Sequence, residues 1–165
     1  LITVSSQAAS YAKTSFAPGT PLLAGALNLM ERIFTEFSYD KTASTVDTTV
    51  DQVIANRRGV CQDFAHLAIS CLRSLGLAAR YVSGYLMMTD RVQQDASHAW
   101  AEAYAEGLGW VGFDVANRIC PTDAHVRVAC GLDYLEAAPV RGLRRGGGEE
   151  TMEVRLRVDA GAAQQ

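Results

Sequence analysis

Residues 61–75, CQDFAHLAISCLRSL, constrain the fold most. Phe64, Leu67, Ala68, Cys71, Leu72 and Leu75 recur at helical spacing, and Gly76 follows as a stop. A helix with such a stripe must bury it against another element. Beyond Gly76 the period falls from 3.6 to 2. AARYVSGYLM (78–87) is rich in β-formers, with Gly84 placed for a bulge. SHAWAEAYAE (97–106) alternates, with His98, Trp100 and Tyr104 on one face, and GWVGFDV (109–115) follows a short glycine turn. These two segments predict an antiparallel hairpin. Upstream, residues 4–15 predict a short helix, and Pro21 opens a second in PLLAGALNLMERIFTEF. SYDKTASTVDTT reads as loop and VDQVIANRRG as a short helix stopped at Gly59. HVRVACG (125–131), APVRGLR (138–144) and ETMEVRLRVD (150–159) extend the strand-rich half, with the glycines at 146–148 as a turn and 160–165 as a tail. Helices first and strands after predict an α+β fold, N-terminal helices packed on an antiparallel β-sheet.

The 165 residues fit one domain, 1–165, able to bury a core without covalent staples. Opening at Leu1 rather than Met, the chain reads as the C-terminal part of a longer protein. A net charge of −3 argues against nucleic-acid binding. The longest apolar run, PLLAGAL, falls far short of a membrane span. Four cysteines in a chain of this length point to free thiols in a reducing, cytoplasmic compartment rather than to a disulfide framework.

Cys61 taken alone could fill the core, bind a metal or attack a substrate. Its place at a helix start favours negative charge on sulfur, and the N–H groups there could receive an oxyanion. A nucleophilic cysteine needs a base, and the base an orienter. His66 is five residues on, about 500° around the helix, and so faces away. His98 opens a strand, and Asp114 lies on the next one, so the two could meet as a cross-strand pair.

The blocks GVCQDFAHLAISCLRSLGLAARYVSGY, SHAWAEAY and GLGWVGFDVANRI together resemble the transglutaminase-like superfamily, in its bacterial branch. The resemblance covers roughly residues 22–157. It implies a papain-like core with Cys61 as nucleophile, His98 as general base and acid, and Asp114 as orienter. Val115-Ala116 stand where many relatives have Pro-Thr, a departure in the loop after the aspartate. Members often carry a further N-terminal β domain, so an upstream domain of the same protein is an expected partner.

The backbone N–H of Cys61 is the expected first oxyanion donor and Gln62 a weaker second. Trp100, Tyr104 and Trp110 read first as sheet core, with a substrate-facing role kept for Trp100 beside the histidine. Cys71 reads as core, His66 as a hydrogen-bonded or surface residue, and Asp63 as a partner of the helix dipole pointing away from Cys61. Cys120, His125 and Cys130 lack the close pairing of zinc patterns, and strand alternation sets His125 and Cys130 on opposite faces, so no metal is expected. RGLRRGGGEE reads as a solvated hairpin. The resulting expectation is thiol-dependent acyl transfer on a peptide or other amide through a Cys thioester, without cofactor, hydrolysis being favoured. A protein-glutamine cross-linking enzyme and a non-catalytic binding module are the alternatives.

Overall fold

In the computed structural model the described residues are 2–88, 93–94, 97–140, 146 and 156–158. Their elements run α1 (Ser6–Lys13), α2 (Leu22–Glu36), β1 (Ser38–Tyr39), α3 (Val50–Asn56), β2 (Arg58–Gly59), α4 (Cys61–Ser74), β3 (Ala79–Leu86), β4 (Gln93–Gln94), β5 (His98–Ala105), β6 (Gly109–Phe113), β7 (His125–Gly131), α5 (Tyr134–Ala137) and β8 (Leu156–Arg157).

Local chemistry explains most boundaries. The Ser5 side chain accepts from the Ala8 N–H and starts α1. Thr49 and Gln52 form a reciprocal capping box at α3. That helix ends at Asn56, earlier than the Gly59 stop expected from sequence, because Arg57 takes the left-handed conformation at φ 54°. Gly76, at φ 78°, closes α4 as expected, and the Leu77 N–H donates to the Leu72 carbonyl.

The main sheet has the order β6-β5-β3-β7, and every pairing in it is antiparallel. The glycine turn joins β5 to β6 as the expected hairpin, with Gly107 and Gly109 both at positive φ. One face of β5, Ala99, Ala101 and Ala103, is buried against the helices with Leu67, Ile69 and Leu72 of α4. Small residues at three consecutive inward positions let α4 lie close on the strand.

Two features depart from the sequence reading. The segment expected as loop begins with β1, which pairs in parallel with β2 and sets Tyr39 opposite Gly59. The short α5 follows β7, where no helix was expected. The proposed strands at 138–144 and 150–159 lie largely outside the described residues, though Leu156–Arg157 pairs with Gln93–Gln94. The 146–148 turn, except Gly146, and the 160–165 tail also lie outside them.

Candidate functional site: a thiol beside an imidazole–carboxylate cluster

Cys61 is the first residue of α4, after the cap residue Val60. Its position is set by the residues around it. The Asp63 carboxylate folds back to accept from the Val60 N–H (2.7 Å) and the Ser44 hydroxyl (2.5 Å). Burial pushes the Asp63 carboxyl up, against those two hydrogen bonds. Gly59 is required beside it, since a Cβ there would sit 2.8 Å from the Asp63 Cβ. The β1–β2 pairing brings Tyr39 alongside, with its ring 6.2 Å from that of Phe64 in an edge contact. The Tyr39 phenol lies near enough to Cys61 for the thiol and the backbone N–H of that residue to act on it. Burial, then the charge and hydrogen bond of Cys61, push this phenol up to about 12.

His98 opens β5, and its Nε2 lies 2.7 Å from Asp114 Oδ2. That leaves Nδ1 as the ring nitrogen not engaged by Asp114, and Cys61 is near enough for its sulfur to act on the ring as well. Burial alone would push the ring down. The hydrogen bonds to Asp114 and Cys61, with the charges of both, overcome burial and raise it to about 10.

Asp114 is completely buried just past β6. Its backbone N–H donates to the Ile119 carbonyl (2.8 Å) and its carbonyl accepts from the Ile119 N–H (3.2 Å), closing a tight loop. Oδ1 accepts from the Asn117 N–H (3.3 Å) and Oδ2 from Asn117 Nδ2 (2.7 Å). Burial raises the Asp114 carboxyl, but the hydrogen bond and charge of His98, then Asn117 and His125, hold it below the ordinary carboxylate value.

Of the three residues named from sequence, His98 and Asp114 are in direct contact, and Cys61 lies near enough to His98 to affect its protonation. The two weaker candidates are not at the thiol's open side. Gln62 Nε2 donates to the Val46 carbonyl (3.3 Å). Trp100 is only 1% exposed and lies under the two imidazoles, its ring 6.2 Å from His98 and 5.4 Å from His125, so it supports them rather than facing substrate. Tyr104 and Trp110, read as sheet core, are instead largely exposed and stack edge-on with each other. His66 is buried and accepts from the Tyr134 N–H (3.2 Å), as its non-catalytic reading required. Cys71 is buried, its thiol pushed up to about 12 by burial.

Sequence reasoning missed three partners. Tyr39 was assigned to a loop, and nothing marked its two-residue strand. Asn117 stands three residues after Asp114, the spacing of a side chain closing its own turn, and that signal was available. His125 was placed by simple alternation on the face opposite Cys130. In the structure β7 carries one extra residue: Ser83 pairs with Ala129 but Gly84 with Arg127. That slip reverses the phase, so His125 opposite Leu86 and Cys130 opposite Val82 share a face, and His125 reaches Asp114 Oδ2 at 3.0 Å.

His98, Asp114 and His125 bring potential ligand atoms within 4.8 Å of one another. Distance alone would admit a cation. The hydrogen bonding argues otherwise, because His125 Nδ1 accepts from the Thr122 N–H (3.0 Å) and its proton then occupies Nε2, the nitrogen facing the carboxylate.

The sequence pattern of the transglutaminase-like superfamily matches residues 9–115. The chain is 42% identical over 143 residues to an uncharacterized protein of Mycobacterium tuberculosis, covering 81% of this chain and 46% of that protein. It therefore spans about half the length of that relative. A protein-glutamine gamma-glutamyltransferase of Pseudomonas aeruginosa is 29% identical over 133 residues, 72% of this chain and 19% of that one. Among solved structures, a candidate cysteine protease of Cytophaga hutchinsonii superposes with a TM-score of 0.72 at 27% identity, over 93% of this chain and 52% of the other. The periplasmic domain of TgpA from Pseudomonas aeruginosa superposes with a TM-score of 0.54 at 25% identity, over 68% and 44%. The helix-then-antiparallel-sheet architecture is the papain-like one of these neighbours. With most of its length matched, and the helix-borne cysteine and paired strands where the sequence blocks set them, the chain belongs to the transglutaminase-like superfamily.

Proposed function

We propose that this domain catalyses thiol-dependent acyl transfer on a peptide or other amide, with Cys61 as nucleophile, His98 as base and acid, and Asp114 as orienter. The observation that carries the reading is the 2.7 Å contact of His98 Nε2 with the buried Asp114 carboxylate, at the same imidazole that Cys61 also acts on electrostatically. Nδ1 takes the thiol proton, and the thiolate attacks the amide carbonyl carbon. The C=O π pair moves onto oxygen, which the Cys61 N–H receives. The Tyr39 hydroxyl, beside Cys61, is the second donor in place of Gln62, whose amide donates to the Val46 carbonyl. The C–N bond then breaks as His98 returns the proton to nitrogen, leaving a thioester and an amine or ammonia. Water, deprotonated by His98, attacks the thioester to release the acid and the thiol.

Hydrolysis is favoured because no residue near the thiol, among the described residues, marks a channel for a second amine. Cross-linking has one observation behind it, the printed activity of the Pseudomonas aeruginosa relative. Because the chain spans 46% of its Mycobacterium tuberculosis relative, a further region of the same protein is the proposed intramolecular partner. A cytoplasmic setting fits the four free cysteines. No helix among the described residues is long and apolar enough to cross a membrane.

The test incubates the protein with a library of glutamine-bearing peptides, with and without a labelled primary amine. Amide cleavage or ammonia release that disappears in Cys61→Ala supports the reading. Amine incorporation in place of water identifies cross-linking. Equal rates in wild type and Cys61→Ala would refute thiol catalysis.

A further inference from the structure

We propose that His125 is a positioning residue of this site, held as the Nε2–H tautomer so that it pins the Asp114 carboxylate for His98. The inference rests on the catalytic reading above and assigns a role to an imidazole that reading does not use.

Three observations point the same way. His125 Nδ1 accepts from the Thr122 backbone N–H at 3.0 Å. An amide N–H can only donate, so that nitrogen carries no proton and Nε2 must carry it. Nε2 lies 3.0 Å from Asp114 Oδ2, and the side chain is 1% exposed, so the proton is aimed at the carboxylate with no water competing. The ring also meets Trp100 edge to face, 5.4 Å between centroids at 87°, which fixes its plane.

The carboxylate is thereby held from several sides. Oδ2 receives His98 Nε2 at 2.7 Å, His125 Nε2 at 3.0 Å and Asn117 Nδ2 at 2.7 Å. Two of these donors are fixed in every step of the proposed cycle, while His98 exchanges its proton at the opposite nitrogen. Without His125 the carboxylate loses a buried donor on the same oxygen, Oδ2, that holds His98. It gains freedom to turn out of the plane of the His98 ring, and the ring's aim at Cys61 loosens with it. The β7 slip at Ser83/Gly84 is what delivers this second imidazole, giving the bulge a function beyond sheet geometry.

Two variants separate positioning from packing. His125→Phe keeps the ring shape against Trp100 and removes both polar atoms. His125→Gln can keep an N–H near the Nε2 position and an oxygen towards the Thr122 N–H. The readout is the rate of Cys61 alkylation by iodoacetamide at pH 7 in folded protein, checked by circular dichroism. A hydrogen bond to a charged group is worth about 10- to 100-fold. His125→Phe should lose a factor in that range, and His125→Gln should recover most of it. A purely structural role reverses this order, since Phe packs better than Gln, and would overturn the inference. A long-range ¹H–¹⁵N spectrum of the wild type tests it without any variant: His125 should show a protonated Nε2 and a bare Nδ1, and the opposite tautomer would overturn it. Wild-type Cys61 labelling no faster than an ordinary thiol would instead refute the catalytic reading beneath it.

Discussion

Replacing Asp114 by Asn tests the electrostatics of the site most sharply. The exchange keeps the shape and one oxygen for the donors of His125 and Asn117, removes the charge, and replaces the other oxygen, which accepts from the Asn117 N–H, with an amide nitrogen. His98 is raised from 6.5 to about 10 against the opposing effect of burial. A rise of that size is roughly 5 kcal/mol in favour of the imidazolium. Asp114 contributes both a hydrogen bond and a charge to it, and Cys61 supplies the rest. Losing the carboxylate's share should lower the His98 midpoint by about two pH units or more. The assay follows the His98 Cε1–H resonance by ¹H–¹³C NMR from pH 5 to 11. In wild type the midpoint should lie near 10, and in Asp114→Asn well below it. An unchanged midpoint would refute the claim that Asp114 sets the charge state of His98.

The same pair fixes a pH dependence of stability. Because the folded value of His98 is raised, its contribution is fully present below pH 6.5 and fades as pH climbs to about 10; Asp114, held low, contributes above its unfolded value of 3.8 and fails on acidification. The stability gap between wild type and His98→Gln, measured by urea denaturation, should therefore narrow by a few kcal/mol between pH 6 and 10. Tyr39→Phe removes the proposed second oxyanion donor and should lower kcat on a cleaved peptide by about 100-fold with KM little changed. Gly84→Ala would drive a Cβ into the Val126 carbonyl and to 2.7 Å from the Trp100 ring, costing about 1–3 kcal/mol in denaturation and slowing Cys61 chemistry through the displaced floor of the site. Gly59→Ala, pressed against Asp63, should cost a similar amount and loosen the start of α4.

Much of this arrangement is legible in the chain because local rules decide it. The stripe from Phe64 to Leu75 could only be a buried helix, and Gly76 stops it. The alternation in SHAWAEAYAE followed by a glycine turn read as a hairpin, which allowed His98 and Asp114 to meet across two strands, and the family resemblance gave them their roles. What stayed hidden depends on long-range register. Tyr39 joins the site through a two-residue parallel pairing with Arg58–Gly59, too short to leave a periodic signature. His125 joins it because β7 gains one residue against β3, and a slip of one reverses every face. Strict alternation placed that ring on the wrong side for this reason alone. Arg57 ended α3 in a left-handed turn that its residue type does not advertise. Asn117 was readable as an Asp-x-x-Asn turn, and the carboxylate's two roles, orienting an imidazole and closing a loop, share that one motif.

The central claim is that Cys61 owes its reactivity to His98. Cys120 and Cys130 are more exposed than Cys61, and Cys71 is buried, so the molecule carries its own controls. Site-resolved mass spectrometry after brief exposure to iodoacetamide at pH 7 compares all four sulfurs in one sample. The account predicts modification at Cys61 at least about tenfold faster than at Cys120 or Cys130, negligible modification at Cys71, and loss of the Cys61 advantage in His98→Ala. Labelling ordered by exposure alone, with Cys61 behind the two open cysteines and indifferent to residue 98, would contradict it.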